Sequence, residues 1–237
     1  MFKALERQFA RALARQIGGI NTQIVTLVSK FDLSNPTDVV TLQSYLMSSQ
    51  SEVLLHFRDK IVNLLLKYGG KGANLSTGAF EKQMRRIGID AITGNQALEQ
   101  LMDQFVTESQ TKFEEITAEF YADVREKTVV AFREGKTAST LAKEIAARHG
   151  VAKSRASFIA RNELTTLYGN VTKARQVDAG VSKYIWRTSE DSRVRESHRE
   201  LDGKVFSWDQ PPLVGHPGED YMCRCVAIPV IDGGINV

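Results

Sequence analysis

Residues 98–124 read LEQLMDQFVTESQTKFEEITAEFYADV, and the apolar positions in this stretch decide the fold class. Leu98, Leu101, Phe105, Phe113, Ile116, Phe120 and Val124 recur at intervals of three, four and eight. That spacing gathers them on one face of a helix. The periodic texture predicts a helix from about residue 95 to 134, a rod near 60 Å at about 1.5 Å per residue. Gly135 is the expected stop. The apolar face has two readings, a helix packed in a bundle or a coiled-coil or oligomer seam.

Toward the N-terminus the helical texture continues. Phe2, Leu5, Phe9, Leu13, Ile17, Ile20, Ile24 and Leu27 share one face, with Gly18-Gly19 expected to bend or split the helix. Asn35-Pro36-Thr37-Asp38 reads as a stop followed by a start, with proline at the head of the next helix. That second helix carries Leu42, Leu46, Val53, Leu54, Phe57, Ile61, Leu64 and Leu65 as far as Tyr68. Gly69-Gly70-Lys71-Gly72-Ala73-Asn74 reads as a linker, followed by a short helix at roughly 77–93. Toward the C-terminus, two shorter helices are expected, Thr137–Arg148 and Ser154 to about Ala179.

After Gly180 the texture changes. Lys183 to Thr188 has the character of a strand, Asp202-Gly203 of a turn, and Cys223 to Val230 of a closing strand. Pro211, Pro212 and Pro217 mark a long loop. The expected fold is therefore α+β and predominantly α: long N-terminal helices, then a small loop-rich C-terminal unit with a few short strands. Three regions follow: 1–95 helical and suited to partner docking, 96–180 a long helix plus helical hairpin, and 181–237 a small α+β unit.

Composition bounds the function. The 237 residues are 42% hydrophobic and 25% charged, which suits a globular protein with a sizeable core. The net charge of +3 permits nucleic-acid contact without demanding it. No run of about 18 apolar residues suggests a membrane span. The charged, amphipathic start does not resemble a signal peptide, so residence in a cytoplasm is expected.

The hairpin expected at 141–161 has the outline of a helix-turn-helix, with Gly150 in the turn and Arg155 and Arg161 able to reach phosphates or bases. An ordinary helical hairpin is the competing reading, because Glu144 and Glu163 interleave with the arginines.

The densest chemistry lies between Trp186 and Pro229. Cys223 and Cys225 stand at i and i+2, so on a strand they point to one face. A disulfide across so tight a ring would be strained. In a reducing compartment such thiols bind metal or stay free. With His198 as a third ligand they could hold one structural zinc, with Asp191, Asp202, His216 or Asp220 as the fourth. Buried free thiols with His198 as a hydrogen-bonding residue, or a disulfide formed in an extracellular particle, are the alternatives. Asp191 also suits a helix N-cap or turn, and Arg193 and Arg195 could pair with Glu190, Glu196 or Glu200. A catalytic reading makes His198 a general base oriented by Asp191, the centre of a metal-dependent hydrolase or nuclease. No nucleophile, phosphate loop or second histidine at a fitting offset accompanies it, so no catalytic residue is assigned. Trp186 and Trp208 read as core aromatics.

In order along the chain come a tryptophan strand at Trp186, the D-x-R-V-R stretch of Asp191, Arg193, Val194 and Arg195, and the H-x-x-L-D-G turn from His198 to Asp202-Gly203. A proline-rich loop and Cys223-Arg224-Cys225 follow. This series resembles the phage Mu F-like and SPP1-type minor head protein (head morphogenesis) family. Upstream, Ala156-Ser157-Phe158-Ile159-Ala160-Arg161-Asn162-Glu163 is similar to the family's R-A-x-x-I-A-R-T-E segment, with Asn162 where threonine is usual. The resemblance covers roughly residues 118–230 and leaves 1–95 unmatched.

What it implies is a non-enzymatic, low-copy virion protein of a tailed bacteriophage, present in the host cytoplasm during assembly. Its partners would be portal or capsid proteins, with non-specific contact to packaged DNA. Its role would be head morphogenesis and DNA packaging or ejection. The long helices would supply docking or oligomer surfaces. Similar domains accompany toxin modules in some bacterial proteins, but no toxin module is expected here.

Overall fold

The structure is a computed structural model that describes residues 2–86 and 96–231, with the side chain of His149 outside that description. Four long helices come first: α1 (Phe2–Val28), α2 (Pro36–Arg86), α3 (Gln96–Arg133) and α4 (Ala138–Asp178). The strand β1 (Lys183–Arg187), the single-turn helix α5 (Glu196–Arg199), β2 (Val205–Ser207) and β3 (Val226–Val230) complete the order. The α+β, predominantly α class read from the sequence is what the chain adopts. None of the described helices is long and apolar enough to cross a membrane.

Helix boundaries follow local chemistry. Asn35 Oδ1 accepts the Thr37 amide at 2.9 Å and caps α2 directly before Pro36. Thr137 Oγ1 accepts the Thr140 amide at 3.2 Å and caps α4. Between α3 and α4, Gly135 takes a left-handed φ of 64°.

Three expectations fail, each for a packing reason. The glycine-rich stretch 69–74 is no linker, because α2 runs through it unbroken. A Cβ on Gly69 would stand 2.6 Å from the Phe105 ring, and one on Gly72 would stand 2.8 Å from Leu164 Cδ1. These glycines let α2 approach its neighbours closely. The described part of the short helix expected at 77–93 is simply the end of α2; residues 87–93 lie outside the described residues.

Gly18-Gly19 likewise leaves α1 unbroken, with a Cβ on Gly19 falling 3.8 Å from Phe57. The hairpin at 141–161 is also absent, and with it the helix-turn-helix, since α4 is one continuous helix. Leu141, Ile145, Ala152, Ala156, Ala160, Leu164, Leu167 and Val171 are all buried. Their spacing of three, four and seven carries one apolar stripe straight past Gly150. A turn there would turn half the stripe out to water.

The chain divides into two compact units: Arg7–Leu65 with Glu108–Ala160, and Met1–Glu6 with Leu66–Thr107 and Arg161–Val237. The first is all helical. Phe9, Leu13, Ile17 and Ile20 of α1 and Leu42, Leu46 and Phe57 of α2 are buried in it, as are Phe113, Ile116, Phe120 and Val124 of α3. The stripe that could have been an oligomer seam is therefore used within the chain over this part of α3. Gln43 Nε2 donates to the Arg125 carbonyl at 2.8 Å, and Arg125 donates to Gln50 at 2.7 Å.

The second unit holds the sheet, whose order is β2-β1-β3 with both pairings antiparallel. Pro229 sits on the edge strand β3, where a missing N–H is tolerated. Alternation along β1 buries Tyr184 and Trp186, and Ala227 of β3 pairs with Trp186. These residues pack with Trp208, Cys223 and Cys225 into one small core. Gln176 of α4 is fully buried and ties the helix to this core. It donates to the Ala227 carbonyl at 2.9 Å and accepts the Trp208 indole N–H at 3.1 Å.

Candidate functional site: a histidine and two thiols clasped by charge pairs

The loop after β1 is the first wall of the site. Asp191 Oδ1 accepts the Arg193 amide at 3.0 Å, a turn closed by a side chain. It leads into α5, which carries His198 at 2% exposure. Asp202 then accepts the Thr188 amide at 2.7 Å and faces Arg187 at 3.5 Å, closing the loop back onto the end of β1. Gly203 follows with φ 76°, a left-handed turn that suits glycine.

The second wall is the segment before β3. Cys223 and Cys225 do not lie on the strand as expected, because β3 begins at Val226. They still share a face: both thiols are buried, at 2% and 7% exposure. Two devices set this segment. Pro217-Gly218 lies against α4 so closely that a Cβ on Gly169 would be 2.7 Å from the Pro217 carbonyl oxygen. Met222 adopts a left-handed φ of 55°, uncommon for a side chain of its size, directly before Cys223. Its amide donates to Asn162 Oδ1 at 2.8 Å. Asn162 thus supplies the acceptor that holds this turn.

The two walls meet at His198. Its Nδ1 lies 3.6 Å from Cys223 Sγ and 3.5 Å from Cys225 Sγ. The three ligand-type atoms all fall within 4.8 Å of one another. On the other side of the ring, Nε2 is 2.9 Å from Asp220 Oδ2. A carboxylate only accepts, so this contact places the proton on Nε2. Nδ1 faces both sulfurs.

The sulfurs in turn meet donors. The Gly218 amide donates to Cys223 Sγ at 3.5 Å. The Trp186 indole N–H is buried, lacks a full hydrogen-bond partner, and favours a thiolate at Cys225. A hydrogen bond from Cys225, opposed by burial and aided by the Gly218 amide, draws the Cys223 thiol down to about 6. That same hydrogen bond, with burial, pushes Cys225 up. The pair holds one proton far more readily than two.

Other sequence assignments are redistributed. Arg193 pairs with Asp191 at 3.1 Å and Arg195 with Asp220 at 3.0 Å, in place of the glutamates expected for them. Arg195 also donates to the Tyr221 carbonyl at 2.6 Å. Asp191 does not orient His198; Asp220 does. Asp191 instead receives Arg224 from between the two cysteines, at 2.9 Å and 3.0 Å on its two oxygens. Burial opposes charge on Asp191, but hydrogen bonds from Arg193 and Arg224 hold its carboxyl well below the usual range.

Of the four residues considered as a fourth ligand, none joins the sulfurs. Asp220 serves the far nitrogen of His198, and Asp191 and Asp202 are committed as above. The His216 ring is 2.9 Å from the Tyr184 hydroxyl and packs on Trp208. Sequence reasoning gave no role to Arg224, Gln176 or Asn162. Only Arg224 carried a signal, its place inside the C-R-C stretch.

Comparison with known proteins finds similarity over the part of the chain that holds these residues. Residues 122–228 match the family described as Phage Mu protein F like protein. An uncharacterized protein of Haemophilus influenzae is 39% identical over 123 residues, covering 52% of this chain and 28% of that protein. The NAD(+)–arginine ADP-ribosyltransferase EFV of Enterococcus faecalis is 29% identical over 132 residues, covering 48% of this chain and 27% of its own length. Minor head protein GP7 of Bacillus phage SPP1 is 30% identical over 116 residues, covering 43% and 38%. The chain thus spans well under half the length of these relatives. No solved structure matches. Residues 122–228, which take in the last 12 residues of α3, all of α4 and the histidine–thiol site, are thus similar to the phage Mu F-like family.

Proposed function

We propose that this chain is a minor head protein of a tailed bacteriophage, a low-copy virion component that associates with portal or capsid proteins. In this reading it assists head morphogenesis and the packaging or delivery of DNA. The observation that carries the reading is the family match over residues 122–228, together with the similarity to a protein named as a minor head protein of phage SPP1. The polar groups around His198 support a structural use of the site. Asp191, Asp202 and Asp220 are each engaged by neighbouring side chains or amides. The ADP-ribosyltransferase name belongs to a whole protein of which this chain matches 27%, and the reading carries no such activity over.

The test is made on particles. Procapsids and mature virions from an induced host are purified and their proteins quantified by mass spectrometry. The chain is expected in both or in procapsids, at a small fraction of the major capsid protein. Tagged chain is expected to retain portal or capsid protein through washes in high salt, because contacts between apolar helix faces are not screened. Absence from both kinds of particle throughout assembly would overturn the proposal.

A further inference from the structure

We propose that His198 Nδ1, Cys223 Sγ and Cys225 Sγ bind one zinc ion that clasps the α5 loop to the segment before β3, with a water completing the tetrahedron. The geometry is already that of a ligand set. Zinc with bonds of about 2.3 Å to sulfur and about 2.05 Å to nitrogen, at tetrahedral angles, separates a nitrogen and a sulfur ligand by about 3.6 Å. The two nitrogen–sulfur distances here are 3.6 Å and 3.5 Å. An ion can therefore enter with little movement of the ligand atoms.

The surroundings supply what such a set needs. A zinc-bound histidine commonly gives its other N–H to a carboxylate, which fixes ring and tautomer. Asp220 stands there at 2.9 Å and is itself held by Arg195. Thiolates bound to a metal stay negative and draw N–H donors. The Gly218 amide at Cys223 and the buried Trp186 indole N–H beside Cys225 are such donors.

Two buried thiols alone would not require them. The soft sulfur pair with one imidazole selects zinc over magnesium or calcium, which take oxygen ligands. Whatever proton the two cysteines still hold leaves to solvent as the sulfur–metal bonds form, and no oxidant or reductant is needed. All three ligands are at most 7% exposed, a burial that keeps bulky substrates away from the ion.

The experiment uses the full chain, purified without metal-chelating resins. Zinc content is read by mass spectrometry of the element, and cobalt(II) is substituted for zinc to read the visible spectrum. About one zinc per chain is expected. Cobalt should give the intense visible bands of a tetrahedral ion and a sulfur-to-metal charge-transfer band. X-ray absorption at the zinc edge should report two sulfur and two nitrogen or oxygen neighbours. Thiol labelling should be slow with zinc and fast after chelation, a readout that needs no variant.

Asp220→Asn should keep the stoichiometry and weaken zinc binding about 10- to 100-fold. Cys225→Ser should abolish the charge-transfer band or halve it. Lys136→Gln, at the turn between α3 and α4 and outside the site, should leave affinity unchanged. The proposal is overturned by substoichiometric zinc with no cobalt charge transfer, by thiols that label equally fast with and without zinc, or by a chain isolated as the Cys223–Cys225 disulfide. Whether the chain is found in particles does not bear on any of these readouts, so the two proposals fail separately.

Discussion

Neighbouring glycines in α2 offer a measurement in which one term cancels. Gly69 and Gly70 are adjacent in a continuous helix, and replacing either with alanine removes the same backbone-entropy penalty, about 0.5–1 kcal/mol. Only Gly69 faces a packed neighbour. Its added Cβ would lie 2.6 Å from Phe105 Cε1 and 2.9 Å from Met102 Cε, whereas nothing lies within 4 Å of a Cβ on Gly70. Met102 can swing its terminal methyl aside, but the Phe105 ring is buried at 6% exposure and must shift as a unit. Forcing a methyl into such a site costs about 1–3 kcal/mol. The difference between the two variants is that packing cost alone.

At roughly 2–4 °C per kcal/mol for a protein of this size, Gly70→Ala should melt roughly 2–12 °C above Gly69→Ala, and above the parent protein. Thermal unfolding followed by circular dichroism at 222 nm, in identical buffer, reads it. In a linker both substitutions would act through the unfolded chain and shift stability alike. Equal shifts for the two variants would refute the close-packed helix.

Other outcomes can be checked as directly. Gly150→Ala should raise helix content and stability by up to about 1 kcal/mol, because α4 is continuous there; a helix-turn-helix would lose stability instead. Gln176→Leu should destabilise the C-terminal unit by about 1–3 kcal/mol in urea unfolding, since the Trp208 indole N–H and the Ala227 carbonyl would be buried without partners. Wild-type stability of that change in both groups would sink the assignment. His216 is held below its ordinary 6.5 by burial and by the charge of Lys173, with Glu219 acting the other way. The unfolded chain therefore protonates first, so stability is whole above about pH 6.5 and falls as pH drops below it. A plot of melting temperature against pH should show that decline in the parent protein and a shallower one in His216→Asn.

Periodicity made the long helices legible, because a stripe such as Phe105, Phe113, Ile116, Phe120 and Val124 has one geometric solution when it is buried. It could not say where helices stop. Gly69, Gly72 and Gly150 read as breaks from composition, yet glycine inside a helix costs only about 1 kcal/mol, and a close approach or a continuous apolar face outweighs it. The meeting of His198 with both cysteines could be anticipated from ligand chemistry. The partner of His198 could not. Asp191, Asp202 and Asp220 are chemically equivalent in a sequence, and only the turn set by Gly218 and Met222 decides which carboxylate reaches Nε2. Asn162 and Gln176 act through single long-range hydrogen bonds that leave no local pattern.

The C-terminal motifs are best understood as halves of pairs. Cys223 and Cys225 turn inward, and Arg224 between them turns to the loop after β1. There it finds both oxygens of Asp191, a planar fork on a carboxylate, with only 13% of its side chain exposed. Arg195, four residues past Asp191, reaches Asp220, and Asp220 in turn holds His198. Asp191 and Arg195 of the first loop are thus each matched by a charged residue in the segment before β3. A three-stranded sheet whose longest strands have five residues buries too little apolar area to hold two long loops in place. The paired charges bring the loops together from outside, and the histidine and thiols occupy the interior that this pairing encloses. It follows that removing a charge pair should loosen the thiol site before it loosens the helices, since the helices draw their stability from the separate apolar stripes buried along α1, α2, α3 and α4.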